Sequence, residues 1–254
     1  MTRWTMLVLV ALLAAGAGCS RKIVRQETGT FPAAAARVIE HTVTAGETLA
    51  LIADNYYGDP ARSAQVAADN GVTDPQRLAV GAVLRLRFTG QEWAAAKQRA
   101  AALDPYNEGV ALQAAGRLAE AEDKFRLALA TAPDLVSARY NLALVLVQRG
   151  QTEEALAALE DLTARRPAAL DIRFARGHAL FAAGRFAEAA VQFRQVLDAD
   201  PQHRRAAFSL ARSLEEDGAT AAAVAAWERY LALDPDSSWA EQARSRLRKL
   251  QDAG

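Results

Sequence analysis

Side chains able to do covalent or metal chemistry are few in this sequence and stand far apart. Its single cysteine is Cys19, and its histidines are His41, His178 and His203. A cysteine hydrolase needs a thiol beside a histidine, and a zinc site needs clustered ligands; neither spacing occurs here. No GxSxG elbow and no phosphate-binding loop of the Walker type is present. A glycosidase needs two facing carboxylates across a cleft, and every segment that could form one is claimed by the elements described below. The chain reads as a non-enzyme with no metal and no cofactor. Acylation of one thiol and non-covalent recognition are the chemistry that remains.

The thiol lies at an informative place. Arg3 precedes a continuous apolar run, Met6 to Ala15, and Gly16, Ala17 and Gly18 lead into Cys19. A spanning helix needs about 20 apolar residues, so this run is too short and fits the hydrophobic region of a secretory signal. The arrangement resembles a bacterial lipoprotein signal, with Gly16 where that family usually has leucine. The resemblance implies cleavage after residue 18 and a lipid anchor on Cys19. Ser20, being non-acidic, then implies sorting to the outer membrane, on its periplasmic inner leaflet. Residues 19–40 lack a sustained period and read as a tether with an r.m.s. reach of roughly 25 Å.

The charges exclude one class of partner. Thirty Lys and Arg balance thirty Asp and Glu, leaving no basic footprint for nucleic acid. Hydrophobic residues make up 51% of the chain, much of it alanine, which favours helix.

Residues 41–88 change pattern over a short distance. His41 to Thr44 alternates as a strand start, and Ala45-Gly46-Glu47 is a turn. Thr48 is placed to cap a helix carrying Leu49, Ile52, Ala53 and Tyr56 on one face, and Gly58 to end it. Asp59-Pro60 opens a second helix towards Asp69-Asn70-Gly71. Val83 to Phe88 alternates again. The order is strand, helix, helix, strand. The spread of His41-x-Val43, Gly46-Glu47-Thr48-Leu49, Ile52-Ala53, Tyr56-Tyr57-Gly58, Val66-Ala67-x-x-Asn70, Asp74-Pro75, Leu78, Gly81 and Leu84-x-Leu86 resembles the LysM domain along its whole length. The departure is the exit, Arg87-Phe88, where that family often has proline. The resemblance implies binding of the N-acetylglucosamine chains of peptidoglycan, with Gly46, Glu47, Thr48 and Leu49 in one loop and Asn70, Gly71 and Val72 in another. Turn, cap and core packing also account for Gly46, Thr48 and Leu49 individually.

Beyond residues 89–101, read as a connecting helix, the chain repeats. Pro133, Pro167, Pro201 and Pro235 are 34 residues apart, as are Gly116, Gly150, Gly184 and Gly218. Small residues recur at the eighth repeat position (Gly109, Ala143, Gly177, Ala211) and large ones at the twenty-fourth (Phe125, Leu159, Phe193, Trp227). This period with helix, turn and helix resembles tetratricopeptide (TPR) repeats, covering 102–237 in four copies, with 238–254 as a capping helix headed by the capping-box form Ser238-Trp239-Ala240-Glu241. Asp104-Pro105 places a late start on the first helix of the first copy. The expected fold is mainly α: a TPR α-solenoid of about four repeats plus a small α+β (βααβ) domain.

An aromatic occupies the fifth position of every copy: Tyr106, Tyr140, Phe174 and Phe208. These rings either floor a ligand groove or pack between helices. His178, Phe181, Arg205, Arg212, Glu215 and Glu216 fall at other inward positions, a mixture suited to a protein segment. Two functions fit: a cell-envelope scaffold joining peptidoglycan to a protein partner, or an assembly factor for pili, secretion pores or outer-membrane proteins.

Overall fold

In the computed structural model the described residues are 22–24, 37–75 and 77–252. The signal segment, Cys19 and most of the tether lie outside them. The chain is mainly helical and divides into two compact units, one ending at Ala138 and one running from Arg139.

The first unit begins with a three-stranded antiparallel sheet in the order β1 (Lys22–Val24), β2 (Arg37–Thr42), β3 (Val83–Phe88). The sheet takes in residues assigned to the tether. β2 starts at Arg37, ahead of the expected His41, because the inward alternation of His41 and Val43 extends back to Ile39, and β1 pairs with it from Lys22↔Glu40 to Val24↔Val38. β3 alternates as its sequence requires, with Leu84, Leu86 and Phe88 buried and the residues between exposed. Across the pair, Glu40 and Arg85 stand opposite and form an ion pair of 3.5 Å.

Between β2 and β3 lie α1 (Leu49–Tyr57), a 3-10 turn (Pro60–Arg62) and α2 (Ser63–Asp69). The caps are those the residue types demand. Thr48 Oγ1 accepts from the Leu51 N–H at 3.1 Å, Gly58 closes α1 at φ 73°, and Asp59 Oδ1 accepts from the Ala61 N–H at 2.9 Å. The exit residue Phe88 is buried, its ring 4.6 Å from Tyr57 and 6.2 Å from Trp93. Thr89 and Glu92 then form a reciprocal capping box, the Thr89 N–H donating to Glu92 Oε2 at 2.8 Å and the Glu92 N–H to Thr89 Oγ1 at 3.3 Å.

That box opens α3 (Trp93–Ala114), a single 22-residue helix. The expected break at Asp104-Pro105 does not occur. Proline removes one backbone donor and leaves the carbonyl four residues back without its helical partner. Here that residue is Ala101, which is exposed, so water can satisfy it. Connecting helix and first repeat helix are therefore one rod, which packs on α4 (Leu118–Thr131).

The βααβ module and this first hairpin share a core. Ile39, Ile52, Tyr56 and Leu86 belong to the same buried cluster as Leu103, Ala128, Leu135 and Ala138. Polar contacts cross the same boundary: the Ser137 hydroxyl donates to Asn55 Oδ1 at 2.7 Å with both residues buried, and Arg99 reaches the Tyr56 carbonyl and Asp134. The module is not a bead on a string, and tests of it belong on the intact chain.

In the second unit, α5 (Val136–Gln148), which starts just ahead of it, pairs with α6 (Thr152–Arg165) as its first hairpin; α7 (Leu170–Ala182) pairs with α8 (Phe186–Ala199), and α9 (Arg204–Glu216) with α10 (Thr220–Leu233). Each hairpin in the chain turns on the glycine of its repeat, at φ 73–78°. The residue after that glycine donates back to the carbonyl five before it, Arg117 to Leu112, Gln151 to Leu146, Arg185 to Leu180 and Ala219 to Leu214, at 2.8–2.9 Å. This is the Schellman closure, which only a residue at ease in the left-handed region provides without strain.

α11 (Ser238–Asp252) closes the chain. Its cap is Ser237, one residue ahead of the expected Ser238: the Ser237 hydroxyl accepts from the Ala240 N–H at 3.3 Å and donates to Asp234 Oδ2 at 2.8 Å. The buried line is thus Ala240 and Ala243, with Leu247 and Leu250 half-buried. Trp239 is 48% exposed and lays one edge on Phe208.

The pairing of repeat positions eight and twenty-four makes a stability test. A Cβ added at Gly177 would lie 2.6 Å from Phe193 Cε1. Overpacking of this kind costs about 1–3 kcal/mol, against which alanine gains roughly 0.8 kcal/mol over glycine in a helix. Gly177→Ala should therefore lower the melting temperature by a few degrees. Adding Phe193→Leu, which copies the Ala143 and Leu159 pair of the second repeat, should recover much of the loss. A double mutant no better than the sum of the two single changes would refute the contact.

Candidate functional site

The loop Thr44–Thr48 hangs between β2 and α1 and is held from inside. His41, 2% exposed, places Nε2 2.9 Å from Glu47 Oε2 and Nδ1 3.2 Å from the Tyr56 hydroxyl. An ionised carboxylate only accepts, so Nε2 carries the proton shared with Glu47, and in the neutral ring the Tyr56 hydroxyl donates to Nδ1. Glu47 Oε2 also accepts from the Thr44 N–H at 2.7 Å. Burial works to raise the Glu47 pKa, but the hydrogen bond and charge of His41, with the Thr44 N–H, outweigh it and hold the carboxyl below its usual range.

Of the expected glycan-binding residues, the structure exposes Gly46, Thr48 and Gly71, half-buries Glu47, Asn70 and Val72, and buries Leu49 in the core. Gly46 (φ 84°) and Gly71 (φ 64°) have nothing within 4 Å of where a Cβ would stand, so the space beside each is open to a ligand. Asn70 is committed to the fold: its amide donates to the carbonyls of Val66 and Arg85 and its Oδ1 accepts from the Arg85 N–H at 2.7 Å. It stitches the end of α2 to β3. The Glu47 carboxylate likewise points inward, at His41. Val80 and Val83, which sequence reasoning did not single out, are exposed at 67% and 55%. They flank the turn whose Gly81 N–H and Ala82 carbonyl bond to the Val43 backbone at 2.8 Å.

In the second unit the recurring aromatics serve packing more than display. Phe174 is 8% exposed, with its ring 5.6 Å from Phe193, 4.5 Å from His178 and 5.1 Å from His203. Phe208 is 5% exposed, with Trp227, Tyr230 and Trp239 set edge-on around it at 4.8–5.2 Å. Tyr140 is half-buried, and burial first, then the Asp171 charge, pushes its hydroxyl up to about 12. Tyr106 belongs to the first unit and leans on Phe125 at 5.9 Å. Of the four recurring rings, Phe174 and Phe208 fill core, while Tyr106 and Tyr140 are half-buried.

What remains open to a ligand between α7 and α9 is mixed in character. The Arg205 guanidinium stands 5.0 Å over Phe174, and that of Arg212 4.7 Å over Phe181, which is half-buried and edge-on to Phe186. Between them His178 Nε2 lies 3.4 Å from the Ser209 hydroxyl. Burial, with the Arg205 and Arg212 charges, lowers the His178 pKa to about 4. Burial also lowers that of Arg212, with the Arg246 charge adding to it. Glu215 closes the edge, accepting from Trp227 Nε1 at 3.0 Å and from Arg246 at 2.9 Å. A cationic and aromatic face of this kind offers planar donors and ring faces to a peptide. Among the described residues no group of three or more His, Cys, Asp or Glu could hold a metal ion, and no helix is long and apolar enough to cross a membrane.

This geometry agrees with what known proteins show. Residues 140–193 and 174–238 match the tetratricopeptide repeat family model. Over those residues the chain matches tetratricopeptide repeats, a repeat type that typically serves as a non-catalytic protein-interaction scaffold. The first hairpin, α3–α4, lies outside the matched residues and has the same glycine turn and the same small-against-large packing, Gly109 on Phe125. The rat protein DnaJ homolog subfamily C member 3 is 40% identical over 96 residues, 37% of this chain but only 18% of that protein. Among solved structures, the TPR protein YrrB, described as having an unusual peptide-binding site, is 24% identical with a TM-score of 0.53 over 61% of this chain and 77% of its own. A tetratricopeptide repeat protein from Parabacteroides merdae is 17% identical with a TM-score of 0.53 over 60% of each chain. These two likenesses establish the fold of the repeats and nothing beyond it.

The His178 environment sets a pH signature. Its folded pKa lies below the ordinary value of 6.5, so between 6.5 and about 4 the unfolded chain takes up a proton that the folded chain refuses. Stability contributed at this position is full above pH 6.5 and declines as pH falls across that window. An NMR titration of the ring should give a midpoint near 4, and His178→Gln should flatten that part of the stability curve. A midpoint above 6 would contradict the burial and the two guanidinium neighbours.

Proposed function

We propose that this chain is a non-catalytic scaffold of the bacterial cell envelope, exported and lipid-anchored through Cys19. It binds peptidoglycan glycan through residues 41–88, read as a LysM domain, and a protein partner through its TPR repeats. The observation that carries the glycan reading is the run of LysM-like residues from His41 to Leu86 on a βααβ module, together with the two open glycine turns at Gly46 and Gly71. Backbone N–H and carbonyl groups beside a glycine can approach an acetamide closely, and Val72, Val80 and Val83 offer apolar surface for its methyl and for the sugar ring. Asn70 and Leu49 support those loops from within. The repeats then present a partner with the Arg205, Arg212 and Phe181 face. The lipid anchor holds the whole at a membrane, on the periplasmic side, with the inner leaflet of the outer membrane favoured by Ser20.

Two measurements test this. Full-length protein carrying Cys19→Ala, and so free of lipid, should sediment with purified sacculi at low micromolar concentration, and N-acetylglucosamine oligomers should compete. Val72→Asp should weaken that sedimentation about tenfold, roughly the value of losing one well-packed contact and leaving a charge at the surface. A wild-type chain that stays in the supernatant would sink the glycan reading and favour the assembly factor for pili, secretion or outer-membrane machinery. Separately, cells fed a labelled fatty acid should label the wild-type protein and not Cys19→Ala; absence of label on the wild type would end the anchor reading.

A further inference from the structure

We infer that His41 is the positioning residue of the glycan-facing loop: it contacts no sugar, and through Glu47 it fixes the backbone of Thr44–Thr48 in the binding shape. This rests on the glycan reading given above. The loop has few other means of holding its form. Ala45, Gly46 and Thr48 are exposed, and Gly46 sits at φ 84° with no atom near its Cα on the open side. Glycine loses more freedom on ordering than any other residue, so an unbraced loop of this composition would sample many shapes and bind weakly. Besides the weaker 3.3 Å bond from the Glu47 N–H to the Thr44 carbonyl, the brace is the Glu47 carboxylate, which draws the Thr44 N–H to one oxygen across the turn.

Glu47 in turn is held by His41 at 2.9 Å, and His41 by the Tyr56 hydroxyl at 3.2 Å and by the edge of the Tyr56 ring at 5.4 Å. Tyr56 is 1% exposed in the core shared with the first repeat hairpin. The carboxylate that in an exposed loop would reach for a sugar hydroxyl is spent instead on the fold. Both ring nitrogens of His41 thus have partners: Nε2 donates to the Glu47 carboxylate, and Nδ1 accepts from the Tyr56 hydroxyl. The brace requires the tautomer with its proton on Nε2.

The test uses the full chain and two readouts: hydrogen exchange at the Thr44 amide, and affinity for an N-acetylglucosamine oligomer. Glu47→Ala removes the acceptor and should speed Thr44 exchange about tenfold or more, the effect expected of one lost charge-assisted hydrogen bond. Glu47→Gln keeps an oxygen for both the Thr44 N–H and His41 Nε2 and should stay within a few-fold of wild type in both readouts. His41→Phe keeps the ring edge on Tyr56 but frees Glu47, and should speed exchange several-fold and weaken the oligomer in step. Glu47→Gln as weak as Glu47→Ala for the oligomer, with Thr44 still protected in both, would make Glu47 a direct sugar contact and overturn the inference. So would His41→Phe with wild-type exchange and affinity. If wild-type protein binds no oligomer, the glycan reading falls, while the order of Thr44 exchange among the three variants still decides whether His41 positions the loop.

Discussion

Close approach of two helices at a small residue is the constraint on which the helical part of this protein rests. An isolated hairpin of two short helices buries too little apolar surface to stand alone, so its helices must meet at near-backbone distance and the next hairpin must cover what remains. Gly109 and Gly177 allow this literally, since a Cβ at either would fall 2.6–2.7 Å from the ring of Phe125 or Phe193. Where the eighth position is alanine, the twenty-fourth changes too: Leu159 stands opposite Ala143 and is smaller than phenylalanine, while Trp227 stands opposite Ala211 and finds its room among Phe208 and Tyr230. Alanines at the twentieth position, Ala121, Ala155, Ala189 and Ala223, are fully buried. At this position alanine serves the distance between helix axes.

The first hairpin carries a second load. Its long helix α3 is continuous through Pro105 and offers its N-terminal half to the βααβ module, with which it shares one buried cluster. Tyr56 shows how the two loads meet. Its ring lies in the shared core, its hydroxyl reaches His41, and its carbonyl accepts from Arg99, whose guanidinium also pairs with Asp134 beyond α4. Arg99 crosses the helix end at Gly58 so closely that a Cβ there would sit 2.8 Å from its Nη2. A left-handed cap was required at that residue for the backbone, and the absent side chain serves the packing as well.

Much of this was legible from residue types because local chemistry and global fold agree. The 34-residue glycine and proline spacing, the caps at Thr48 and Asp59, the stop at Gly58 and the alternation of β3 all stand where the sequence places them. The misreadings share one cause: a local rule overridden by a partner out of its reach. Proline was expected to break α3, but packing on both sides of a solvent-facing Ala101 carries the helix through. Ser238 was expected to cap α11, but the carboxylate of Asp234 selects Ser237. The tether was expected to run to residue 40, but β1 and β3 give β2 partners from Arg37 onward. The capping box Thr89-x-x-Glu92 at the start of α3 is a local signal of the same kind that the sequence reading did not take up.

The candidate sites were the hardest part to read, and the reason is physical. A sequence pattern says that a residue type recurs; it does not say which of its two surfaces is satisfied by the fold. Phe174 and Phe208 recur with Tyr106 and Tyr140, yet each is enclosed by rings from its own hairpin and from neighbours such as His203 and Trp239. Glu47 and Asn70 carry polar groups suited to a sugar, yet both direct them at the protein, Glu47 to His41 and Thr44, Asn70 to Val66 and Arg85. A buried polar group left unpaired costs about 1–3 kcal/mol, so side chains at the base of a loop are claimed by the fold first. What the fold leaves unclaimed is then backbone beside Gly46 and Gly71 in the first unit, and guanidinium planes laid over Phe174 and Phe181 in the second. Recognition by backbone and by flat cations, as proposed above, depends on how rigidly those groups are held, and so on the layer of side chains just inside the surface.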